Sequence, residues 1–212
     1  MITNTEIARI ARGAAKDNTI YLSSGFGTNL TLPSDLEYYT RANDWCNRHA
    51  AETRAAAAAA SAANLPLWGF DCVCFVKGIL WGWRGDATKY RGGAVYASNG
   101  VPDATIWDLY TNYSTGRSTD FSNIEIGEFV VLSNSYGHCG LYVGNGEVVE
   151  STPAWKNGVQ VTKCLNVTPN ASGAEHGRTW WAHCKLNFID YSKNVAVLLC
   201  PHCGEKLTIN IT

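Results

Sequence analysis

The sequence predicts an α+β fold, with helices gathered in the first half and an antiparallel meander in the second. Two observations carry this. An alanine-rich stretch that ends at Asn64-Leu65-Pro66, and a run from Cys72 with apolar residues at helical spacing, read as helices. From Ile124 onward, short apolar runs are separated by glycine, asparagine or serine, the pattern of strands joined by tight turns. The 212 residues suffice for one good-sized domain, expected over 1–191, and a small tail over 192–212. Net charge is −1, with acids and bases interspersed and no basic tract, so nucleic acid is not an expected partner.

Taken in order, Glu6 to Gly13 reads as a short helix stopped by its glycine. Thr19 to Gly27 reads as an extended piece entering a flexible loop. Pro33-Ser34-Asp35-Leu36-Glu37 predicts a helix start, with Ser34 as cap and Glu37 completing a capping box. The helix from Cys72 should bury Val73, Val76 and Leu80 and end among Gly82 and Gly85. Residues 86–124 are loop-rich, with one short helix near Trp107 to Tyr110. Strands are expected at Ile126–Leu132, Cys139–Val143, Glu147–Ser151, Gly158–Cys164 and Trp180–Phe188. Two more short strands should flank Cys200-Pro201-His202-Cys203 in the tail.

Three polar side chains form a candidate catalytic set. Cys72 stands where a loop enters a helix, and the free N–H groups and positive end of a helix stabilise a thiolate. His138 follows a turn, beside glycines that leave room for a substrate chain, and is the candidate base. Glu150 is its candidate orienter, on a condition of register. A two-residue Asn145-Gly146 turn would pair Leu141 with Glu150 and put the carboxylate on the wrong face. A three-residue Gly144-Asn145-Gly146 loop would pair Gly140 with Glu150 and put it diagonally beside His138. Cys74, half a turn from Cys72, should face elsewhere. Trp155, in a loop after Pro153, is a candidate flank for substrate, though core packing is the common use of tryptophan.

Phe70-Asp71-Cys72, then Gly127-Glu128-Phe129-Val130-Val131 leading to Gly137-His138-Cys139-Gly140-Leu141-Tyr142-Val143-Gly144, resembles the NlpC family of papain-like cell-wall peptidases. It looks most like the versions found in phages and mobile elements of Gram-positive bacteria. The likeness covers most of residues 15 to 191 and rests on the order and spacing of the pieces. It implies a papain-like fold with the Cys72 helix packed on an antiparallel sheet, and hydrolysis of a peptidoglycan amide through an acyl-thioester. The favoured bond lies between D-glutamate and a diamino acid. An N-acetylmuramoyl-L-alanine amidase, an inert wall-binding module and a cysteine acyltransferase are the alternatives. Cys72 would be the nucleophile, His138 the base and Glu150 the third polar residue. Tyr21, with Asp71, would serve the oxyanion or the substrate. Cys139 and Cys184 stand where the family has a small apolar residue and a glycine, and are expected to stay clear of the chemistry.

No cofactor is expected for catalysis. The Cys200 and Cys203 pair has two readings. It is half of a structural zinc site, completed by Cys164, Cys184, His183, His202 or a second chain, or it is a tight turn between two strands. The eight cysteines are expected to be mostly reduced thiols. The start of the chain lacks a signal-peptide pattern, and no apolar stretch is long enough to span a bilayer. A monomer made in the cytoplasm, acting on bacterial peptidoglycan after release and not on membranes, is the expectation.

Overall fold

Thr3 caps the first helix, α1 (Asn4–Ala14), by accepting a hydrogen bond from the Glu6 N–H. The computed structural model describes residues 1–167 and 172–192, together with the backbone of two tail strands. Gly13 does not stop α1, which runs one residue further with Ile7, Ile10, Ala11 and Ala14 buried along one face. Ahead of α1, β1 (Ile2–Thr3) pairs in parallel with Ile189–Asp190, so the two ends of the domain meet.

Strands β2 (Thr19–Tyr21), β3 (Phe26–Asn29) and β4 (Trp68–Phe70) form a three-stranded sheet with β4 in the middle. Strand β2 runs parallel to β4 and sets Tyr21 opposite Phe70. The piece expected to enter a flexible loop is therefore ordered by pairing with residues more than forty positions away. Gly25 is required there, because a Cβ on it would stand 2.7 Å from the Gly69 carbonyl oxygen. Between β3 and β4 lie α2 (Pro33–Tyr39), α3 (Asp44–Arg48) and α4 (Ala50–Ala62). The capping box expected at Ser34 does not form. Leu32 is the cap residue and Pro33 takes the first helical position, where its missing N–H costs nothing and its fixed φ suits the helix.

Helix α5 (Cys72–Leu80) starts immediately after β4. Phe75, Val76 and Ile79 are its fully buried stripe, with Leu80 nearly so, while Val73 stays half-buried. Each such side chain contributes roughly 1.5–3 kcal/mol by leaving water. The Asp71 cap contributes about 1 kcal/mol. Burial therefore decides where α5 sits, and the cap decides where it starts.

The loop-rich middle holds α6 (Ile106–Thr111), begun by a capping box between Thr105 and Asp108, and an unanticipated strand, β5 (Ser114–Ser118). Strands β6 (Phe129–Val131), β7 (Cys139–Gly144), β8 (Glu147–Thr152), β9 (Gly158–Cys164), β10 (Gly177–Arg178) and β11 (Ala182–Leu186) complete a seven-stranded sheet of order β10-β9-β8-β7-β6-β11-β5. All its neighbours are antiparallel except β10 and β9. Strand β12 (Ile189–Asp190) closes the chain back onto β1. Helices α1 and α5 pack on one face of this sheet through Ile7, Phe75, Ile79, Phe129, Leu141 and Val149. Val130, Tyr142, Val148 and Trp180 pack on its other face. The fold is α+β.

In the tail, β13 (Val195–Leu199) and β14 (Lys206–Asn210) pair antiparallel. Cys200, His202 and Cys203 lie outside the described residues. Among the described residues no group of His, Cys, Asp or Glu is arranged to hold a metal ion. His183 in particular is committed elsewhere, with Nδ1 on the Glu128 carboxylate and Nε2 on the Asp120 carbonyl. Six cysteines, all buried, are free thiols.

Candidate active site

Cys72 is the first residue of α5, with Asp71 as its cap. One Asp71 oxygen accepts from the Cys74 N–H at 2.6 Å and the other from the Ser24 N–H at 2.9 Å. Asp71 thus clamps the β2–β3 loop to the helix start and lines the adjoining groove. Burial, and then the Cys72 charge beside it, push its carboxyl up to about 6. Ser151 Oγ donates to the Phe70 carbonyl at 2.8 Å, which ties the entry into α5 to strand β8.

The hairpin of β7 and β8 resolves the register question with a bulge. At its tip Gly144 pairs with Glu147, as the two-residue turn requires. A register shift between Tyr142 and Gly144 then inserts one residue, so that Tyr142 faces Val148 and Leu141 faces Val149. That is the deeper register of the three-residue loop. It carries Glu150 across from Gly140, where a glycine Cβ would lie 3.4 Å from the Glu150 Cβ. Glu150 Oε2 accepts from His138 Nε2 at 2.5 Å.

Glu150 is 0% exposed, a costly place for a carboxylate unless its oxygens are served. Thr162 Oγ1 donates to Oε1 at 2.7 Å, and Arg178 Nε donates to both oxygens, at 3.0 and 2.8 Å. Burial opposes the charge, but the His138 and Thr162 hydrogen bonds and the Arg178 charge hold the carboxyl below its ordinary value. Arg178 also donates to Thr152 Oγ1 at 3.2 Å and lies over the Trp155 ring, 4.5 Å from its centroid. Trp155, 46% exposed, stacks on His176 as well. Its contacts are thus with Arg178 and His176.

With Nε2 committed to Glu150, Nδ1 is the nitrogen left for the His138 hydrogen bond to Cys72. The buried Trp180 ring stacks on the imidazole at 5.9 Å and fixes its plane. Burial works against protonation of His138, but the bonds to Cys72 and Glu150, and their charges, raise it to about 9. Cys72 moves the other way, to about 4. The hydrogen bond from Cys139 is the largest cause, burial opposes it, and His138 and the Val73 N–H add to it. Thiolate, imidazolium, carboxylate and guanidinium thus alternate in sign from Cys72 to Arg178.

Cys139 overturns its expectation. Far from standing clear of the chemistry, it is buried beside Cys72, where its thiol favours the Cys72 thiolate. Cys74 is as expected an inert thiol, its pKa pushed up by burial and by Asp71. Tyr21, set opposite Phe70 by the β2–β4 pairing, hydrogen-bonds Cys72. Burial and the neighbouring Cys72 charge raise its phenol pKa, so it stays a donor.

A groove of about 700 Å³ runs past the start of α5, lined there by Ser24, Asp71, Val73, Cys74 and Lys77; it takes in both chain neighbours of Cys72 but not Cys72 itself. Tyr38, Tyr39, Arg91, Tyr96 and Tyr136 line the rest. Arg91 has φ 51°, left-handed backbone that costs a residue other than glycine about 1 kcal/mol or more. Gly92 beside it has no such choice, since a Cβ there would meet Trp83 Nε1 at 2.4 Å.

No family model, curated protein or solved structure matches the chain. Function must be argued from the site itself.

Arg178 and Trp180 are the residues that sequence reasoning missed. Arg178 reaches Glu150 because β10 pairs in parallel with β9, setting Arg178 beside Cys164, a contact with no local signature. The paired charges set a testable pH dependence. The reactive form needs the thiolate and the imidazolium together. Activity should rise as pH passes about 4 and fall as it passes about 9. Cys139→Ala should move the acid limb upward and leave the alkaline limb in place. A kcat/KM profile of both proteins checks this, and an unmoved acid limb would remove Cys139 from the site.

Proposed function

We propose that the protein is a papain-like cysteine hydrolase of the NlpC type, cleaving an amide bond in the stem peptides of bacterial peptidoglycan between D-glutamate and a diamino acid. One observation carries the hydrolase reading. A thiol at the first turn of a buried helix is coupled by charge to an imidazole, one nitrogen of which is held by a buried carboxylate. The choice of peptidoglycan rests on the motif resemblance of residues 15 to 191. The Cys72 helix lying on an antiparallel sheet supports the papain-like reading.

In this reading the Cys72 thiolate attacks the scissile carbonyl carbon. The oxyanion is met by the Cys72 N–H and the Tyr21 hydroxyl. The His138 imidazolium gives its proton to the departing amine, leaving a thioester on Cys72 and a neutral imidazole. Water then enters, His138 takes a proton from it, and hydroxide attack releases the acid and restores the pair. Glu150 remains ionised throughout and holds the ring in the productive tautomer. The enzyme acts on the wall after release from the cell that makes it. Among the described residues, no helix is long and apolar enough to cross a membrane.

Incubation of the purified protein with peptidoglycan, followed by mass spectrometry, tests the assignment. The expected product carries a new amino terminus on the diamino acid. Free glycan with intact stem peptides would mark the amidase instead, and an unaltered wall would end the hydrolase reading.

A further inference from the structure

We propose that Arg91 is a carboxylate-binding residue of the groove that runs past Asp71 and Val73, the two neighbours of Cys72, and that it selects peptides whose glutamate keeps a free carboxylate next to the scissile bond. The chemistry of the peptide rests on the function proposed above; the anionic subsite rests on the groove.

The other charged side chains lining the groove are committed. Lys77 pairs with Asp103, and Asp103 also accepts from Tyr96 Oη at 2.7 Å. Both Asp71 oxygens accept main-chain N–H groups. The Arg91 side chain alone has no hydrogen bond and no ion pair among the described residues, and its Nε is buried without a partner. Its guanidinium lies over Phe26, 3.9 Å from the ring centroid, and 5.1 Å from that of Tyr90, contacts that serve none of its donors. Asp35 lies within its field, buried, but makes no ion pair with it, and Asp35 Oδ2 has no partner either.

The backbone points the same way. Arg91 precedes Gly92 and Gly93 in a turn where all three φ values are positive, at 51°, 62° and 97°. Glycine is the residue that such a backbone favours. Arginine stands at the first position despite that preference. A planar guanidinium takes a carboxylate through two parallel hydrogen bonds, whereas a carboxamide offers one acceptor and no charge. In a γ-linked stem peptide, the D-glutamate beside the scissile bond carries a free α-carboxylate, which amidation converts to such a carboxamide.

Calorimetric titration of the full-length Cys72→Ala protein with L-alanyl-γ-D-glutamyl-L-lysine, and with the same peptide amidated at the glutamate α-carboxyl, tests the subsite. The acid should bind about tenfold or more tightly than the amide. Arg91→Gln should bring the two within about twofold. Arg91→Gly, which the left-handed backbone accommodates, should do the same and serves if the glutamine variant folds poorly. Equal binding of acid and amide by Cys72→Ala overturns the proposal, as does a preference that survives both Arg91 variants, or no binding of either peptide. Cleavage by the unaltered protein is scored separately. Selective binding without cleavage would sustain the subsite and end the hydrolase reading, and cleavage without selectivity would do the reverse.

Discussion

Cys72→Ser should lower kcat/KM for muropeptide hydrolysis by roughly four orders of magnitude or more, with an unchanged melting temperature. Cys72 is buried at the edge of the core, but it is not what anchors the helix. Cys72 is the first residue of α5, and the stripe that anchors the helix is Phe75, Val76 and Ile79. The chemistry depends on it entirely. Hydrogen bonds from Cys139, His138 and the Val73 N–H hold the thiol at about 4, so the nucleophile is ionised at neutral pH. A serine hydroxyl in the same place has no comparable thiolate to stabilise and would need a base of different strength. Cys74→Ser is the matched control. Its thiol is raised by burial and by Asp71, plays no part in the proton path, and should keep most activity when replaced. Equal hydrolysis by the unaltered protein and Cys72→Ser would end the cysteine-hydrolase reading.

Glu150→Ala should cut kcat by roughly 10²–10⁴-fold while moving KM little, because orienting and charging the imidazole matters chiefly in the transition state. It should also pull the alkaline limb of the pH profile down from about 9, since Glu150 is one of the two groups that hold His138 protonated. A stability cost should accompany this. Removing the carboxylate strands Arg178 in a half-buried site and leaves Thr162 Oγ1 without its acceptor. Glu150→Gln separates the two effects, for it preserves the shape and hydrogen bonding at Thr162 while removing the charge that sustains the imidazolium. An alkaline limb that stays near 9 in both variants would show that Glu150 does not act on His138.

Much of the site was legible because its determinants are local. Asp71 before Cys72 is a cap followed by a helix start, and that is read from neighbouring residues. The alternation of β7 and β8 around Asn145-Gly146 is equally local. Neither turn geometry alone gave the register, because the tip obeys one pairing and the body of the hairpin the other. The bulge that reconciles them is fixed by what the strands bury on each face, a tertiary demand. Ser34 failed as a cap for a local reason, since Pro33 is better suited to the first helical turn than to the residue before it. Strand β5 was missed because Ser114-Thr115-Gly116-Arg117-Ser118 has no apolar alternation; it exists as an edge added to β11.

The sequence by itself determined an α+β chain, a cysteine at a helix start, and a histidine and a glutamate on adjoining arms of a hairpin. These follow from caps, periodicity and turn residues, which act over a few positions. Only the tertiary structure decided that Cys139 shares a hydrogen bond with the nucleophile, that Arg178 and Thr162 keep a buried Glu150 ionised, and that Trp180 stacks on His138. It also decided that Trp155 supports Arg178 and that the Arg91 side chain is left without a hydrogen bond or ion pair among the described residues. The reason is physical. Whether a buried charge is stable depends on which distant donors surround it and how far water is excluded, and neither is set until the sheet has closed over the helix.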